Sequence, residues 1–187
     1  MTPRAVWLAL TLIVSISPAH AHEAIGGAGP FVNGLLHPAI EPAHLLSLLA
    51  LGLWIARLDR DALRRSIPAF ATALIAGLLA GSLGILPAMV PLAVALILGC
   101  LVAGGWHWPA SLAAMVSVAA AATIGFDSGS DDWIAGLGIW VGAMLIVLNI
   151  VNIAMRIEAA WLRIGIRIAG AWITAVALML LALSLRA

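Results

Sequence analysis

The sequence predicts an all-α fold: a polytopic membrane helix bundle of about six transmembrane helices behind a cleaved signal peptide. Three observations carry this. Of the 187 residues, 64% are apolar and 9% charged, where a soluble domain has about a quarter charged. Mean hydropathy is +1.16, so the solvent is mostly lipid, in which helices or closed barrels satisfy the backbone. The apolar runs are rich in Leu, Ala and Ile and lack the two-residue alternation of barrel strands.

The elements follow in order. Residues 1–21 read as a signal peptide: Arg4 gives the positive start, 6–16 a short apolar stretch, and Ala19-His20-Ala21 a small-x-small cleavage site. The competing reading is an uncleaved first helix. Residues 22–187 form one domain, with spans expected near 35–56, 68–85, 87–104, 109–125, 133–155 and 167–185. Each approximates the length that a bilayer core requires. Gly77 with Gly81, and Gly138 with Gly142, have the spacing that lets helix backbones approach closely.

All nine basic residues are arginines, and their positions set the topology. Arg57, Arg60, Arg64 and Arg65 follow the first span; Arg156, Arg163 and Arg167 follow the fifth. The stretch 126–132 has no basic residue. Basic loops stay cytoplasmic, which puts the mature N-terminus on the periplasmic side of a bacterial inner membrane. Trp54, Trp106, Trp108, Trp133 and Trp161 fall near expected span ends, as an interfacial belt would. A net charge of +1 gives no reason to expect nucleic acid. Cys100 has no second cysteine to pair with and reads as packing.

The polar residues inside this apolar chain carry the chemistry. His37, Glu41 and His44 stand at i, i+4 and i+7, one face of a regular helix. Ionisable groups at membrane depth usually face a polar pathway, and imidazole with carboxylate suits nickel, zinc or copper. The plainer reading is two interfacial histidines, with Glu41 at a helix N-terminus. Pro42 removes an N–H and loosens the turn. If the turn unwinds, His37 pairs with Glu41 rather than Glu41 with His44. This face is expected to point into the bundle, toward Asn149 in the fifth span.

Asp127, Asp131 and Asp132 border the fourth and fifth spans on the same side as His37. They read either as an anionic mouth for cations or as a solvated loop whose Asp131 or Asp132 caps the fifth span. Asn149 and Asn152 read as glue between helices or as lining of a path. His107 reads as an interface residue. His22 is a weak ligand that depends on cleavage after Ala21. Enzymatic activity is not expected. The His37–Glu41–His44 spacing is not HExxH, and no intramembrane histidine follows Ser128 or Ser130 to serve as a base.

With these motifs in place, the whole chain resembles the HupE/UreJ family of nickel and cobalt permeases. The resemblance rests on the signal peptide, the first-span motif with His37, Pro38 and His44, six short helices, and Arg167-Ile168-Ala169-Gly170-Ala171 opening the last span. The family's Asp before the second histidine is Ala43 here, and Glu41 replaces its Gly. Its His-rich second motif is replaced by 126–132, and a fifth-span histidine by Asn149 or Asn152. The resemblance implies a secondary permease for nickel, then cobalt, with the lipid bilayer and the divalent ion as partners and no permanently bound cofactor. The alternative is a non-transporting membrane metal-binding or assembly protein that serves a metalloenzyme maturation system.

Overall fold

The computed structural model describes residues 27–83, 86–87, 89–106, 108–129, 132–157 and 159–186. The signal peptide, His22, His107, Ser130 and Asp131 lie outside the described residues. Within them the fold is all-helical: α1 (Pro30–Ile40), α2 (Pro42–Ile55), α3 (Arg60–Gly81), α4 (Met89–Gly104), α5 (Ala110–Asp127), α6 (Trp133–Met155) and α7 (Ala160–Ser184). Helices α3, α5, α6 and α7 are long and apolar enough to cross a membrane. Helices α1 and α2 together make a fifth candidate, bent by 71°, and α4 is a shorter apolar helix of 16 residues.

The bend is written in the sequence. Pro42 has no N–H to give the Pro38 carbonyl, and its ring disfavours a helical Glu41. Glu41 is extended (φ −76, ψ 112), while its own N–H still donates to the His37 carbonyl at 3.0 Å.

Helix α2 is the axis of the bundle and touches each of the other six helices. Leu48, Ala50, Leu51, Trp54 and Ile55 are buried on all its sides. Around it, glycines set three close seams. Gly77 and Gly81 of α3 meet Gly125 and Gly129 at the end of α5. Gly34 of α1 lies on the Ala135 backbone of α6, whose Gly138 and Gly142 lie on the Phe31–Leu35 backbone. Gly99 of α4 meets Thr174 of α7, and Gly170 meets Val102 and Ala103. Both spacings singled out in the sequence are therefore used within one chain.

Three expectations need correction. The arginine-rich stretch 57–65 is not all loop: α3 begins at Arg60, where the Asp59 side chain accepts from the Ala62 N–H at 2.7 Å. Helix α7 likewise begins at Ala160, so Arg163 and Arg167 are helical. Trp54 is not interfacial. It is 1% exposed and meets Trp108 edge-to-face at 5.9 Å. Trp106, Trp133 and Trp161 are exposed.

Candidate functional site

The first turn of α2 carries His44 into the bundle, where it is completely buried. A buried imidazole needs partners for both nitrogens. Its Nε2 lies 2.9 Å from Oδ2 of Asp127, the last residue of α5. Its Nδ1 lies 3.4 Å from Oγ of Ser128, the next residue. The first contact is short and the second long for a hydrogen bond. Asp127 owes its place to the glycine seam, because Gly125 and Gly129 let the end of α5 lie close against α3. Its side chain keeps 26% of its exposure. It lines an open cavity of about 380 Å³ together with Gly81, Ser82, Leu83, Leu86, Phe126 and Gly129. The buried His44 thus meets, through Asp127, a route to the surface.

His37, in the last turn of α1, is half-buried and meets His44 edge-to-face at 5.4 Å. The break at Glu41 therefore leaves the two imidazoles together. Glu41 stands at the hinge, half-buried, ending α1 and preceding α2. At this break the ring contact of His37 is with His44. Among the described residues, no three His, Cys, Asp or Glu side chains form a group that would hold a metal ion.

The face of His44 points to the end of α5, not to Asn149. Asn149 is exposed and donates to the Leu145 carbonyl of its own helix at 2.7 Å. Asn152 is exposed and accepts from Arg156 at 3.4 Å. The bend explains this. Helix α1 covers the Gly138–Gly142 face of α6, but past the bend α2 meets Val147 and Ile150 through Gly52. The continuation of the first face, including Asn149, is left uncovered. Asp132 is the N-cap of α6, accepting from the Ile134 and Ala135 N–H groups.

A match to the HupE/UreJ family model runs over residues 9–180, nearly the whole chain. The chain belongs to the HupE/UreJ family. No curated protein and no solved structure matches it significantly. HupE/UreJ proteins are associated with nickel or cobalt uptake or with urease and hydrogenase maturation, a transporter-type family rather than an enzymatic one. In this HupE/UreJ chain the sequence identified both His44 and Asp127 but not their pairing, since 83 residues separate them. The missed signal was that His44 closes its polar stretch and Asp127 opens its own on the same predicted side. No histidine follows Ser128 in the sequence, but His44 reaches it from upstream, 3.4 Å from its Oγ.

Proposed function

We propose that the protein is a membrane permease for a divalent transition metal, nickel first and cobalt second. The observation that carries this is the completely buried His44 held by Asp127 from another helix, at the break of a discontinuous first span. Broken helices recur where transporters bind their cargo, and intramembrane ionisable pairs usually mark a path. The spacing suits an ion. Two metal–ligand bonds of about 2.1 Å at a right angle separate their donor atoms by about 3.0 Å, close to the 2.9 Å between Nε2 and Oδ2.

In this reading the cation enters through the cavity beside Asp127. It takes the place of the proton between His44 Nε2 and Asp127 Oδ2 and gains one ligand from each. The imidazole keeps a proton on Nδ1, facing Ser128 Oγ, and any second proton leaves to water. His37 stands next in reach, and water completes the shell. Two or three protein ligands suit a cargo that must leave again. The chain has no P-loop, so the membrane potential or a partner supplies the drive. Asp131, Asp132 and Glu41 would then concentrate cations rather than hold them.

The test is nickel accumulation in cells that express the chain or its variants at matched membrane levels. His44→Ala and Asp127→Asn are expected to reduce uptake at least about tenfold, the effect of losing a ligand or its close support. Asn149→Ala is expected to leave uptake unchanged. Wild-type uptake in the His44→Ala and Asp127→Asn strains would sink the permease reading at this site. That no three-ligand group forms among the described residues favours a second reading, a membrane metal-binding accessory to metalloenzyme maturation. Proteoliposomes that bind nickel without moving it would favour that reading.

A further inference from the structure

At the other end of α2, about 20 Å from His44 at 1.5 Å per residue, three arginines gather. Arg57 stands two residues past the helix, and its Nη1 is buried with no hydrogen-bond partner among the described residues. Arg163 and Arg167 lie one turn apart in the first turns of α7, the end where a helix dipole is positive and cations are disfavoured. The turn after α4 brings them together. Gly105 adopts a left-handed φ of +68. A Cβ placed there would stand 3.5 Å from both Nη2 of Arg57 and Nε of Arg167. Arg167 Nε also donates to the Ala103 carbonyl at 2.9 Å. Among the described residues, the ion pairs are His44 with Asp127 and Arg65 with Asp61; none involves these three arginines.

We propose that Arg57, Arg163 and Arg167 form a binding site for the phosphate of an anionic membrane lipid. Guanidinium stays charged and its fork matches phosphate oxygens in pairs. Burial, then the charges of Arg167 and Arg163, push Arg57 below its ordinary value, a strain that a bound anion relieves. The surroundings favour a lipid over a soluble anion. Trp106 and Trp161 are exposed at the same end, as side chains at headgroup level are. Arginines beside a span attract acidic headgroups.

The experiment titrates short-chain phosphatidylglycerol or phosphatidylcholine into the full-length protein in neutral detergent. Wild type is expected to bind phosphatidylglycerol about tenfold more tightly than phosphatidylcholine. Arg57→Gln with Arg167→Gln is expected to abolish that preference, and the exposed Arg163→Gln, which leaves the half-buried Arg57 in place, to weaken it. Arg60→Gln with Arg64→Gln, on α3, is expected to leave it intact. No preference in wild type, or equal loss in the α3 control, would overturn the site. Displacement of phosphatidylglycerol by inorganic phosphate at equal concentration would overturn the lipid assignment and point to a soluble anion.

Discussion

His44 ties two helices together through one ring, and the energetics of that ring are testable at the single residue. Asp127 and Ser128 both reach it from the end of α5. Replacing Asp127 with Leu leaves a buried imidazole nitrogen without its partner, at a cost of about 1–3 kcal/mol. Replacing both His44 and Asp127 with Leu removes the imidazole and its requirement for a partner together. The double variant is therefore expected to be more stable than Asp127→Leu alone, as measured by denaturation in mixed micelles. A double variant that unfolds as readily as the sum of the two single changes would show that the pair adds no coupling. This stability cycle is separate from transport, since every member of it lacks a ligand. Both residues were visible in the sequence because a histidine and a carboxylate are rare in so apolar a chain. Their contact was not visible, because spacing along one helix says nothing about what a second helix brings.

At three seams helices meet through backbone rather than through large side chains, which makes these glycines sensitive elements. A Cβ at Gly125 would stand 2.5 Å from the Leu74 carbonyl and 2.8 Å from the Leu78 nitrogen, neither a flexible side-chain end. Gly125→Ala is expected to force α5 from α3 at a cost of about 1–3 kcal/mol. Gly136→Ala, where nothing lies within 4 Å, is expected to be neutral or to gain up to about 1 kcal/mol from helix propensity. Melting of both variants in one detergent checks the contrast. The Gly77–Gly81 and Gly138–Gly142 spacings announced their seams, and Pro42 announced the break. The start of α3 was less legible. Arg60, Asp61, Arg64 and Arg65 look like a loop by polarity, yet Asp59 caps them into a helix that runs on into the apolar part. Asn149 misled for a different reason: it sits on a helix face whose neighbour turns away at the break.

For the whole molecule, the chain direction fixes sides. A reporter fused after Arg65 is expected to read as cytoplasmic and one near Ser130 as periplasmic, because arginine-rich ends stay inside. If both read alike, the cavity beside Asp127 and the arginine cluster would not sit on opposite faces of the membrane. The central position of α2 has a further consequence, in the order of synthesis. Helix α2 leaves the ribosome early, but the carboxylate that holds His44 lies 83 residues later. At about 5–20 residues per second the ring waits roughly 4–17 s in or beside the bilayer before Asp127 exists. During that interval His37, on the preceding half of the same bent pair, is already made and within ring contact. The nascent chain thus carries an unfinished axis, and the last helices to emerge must close around it.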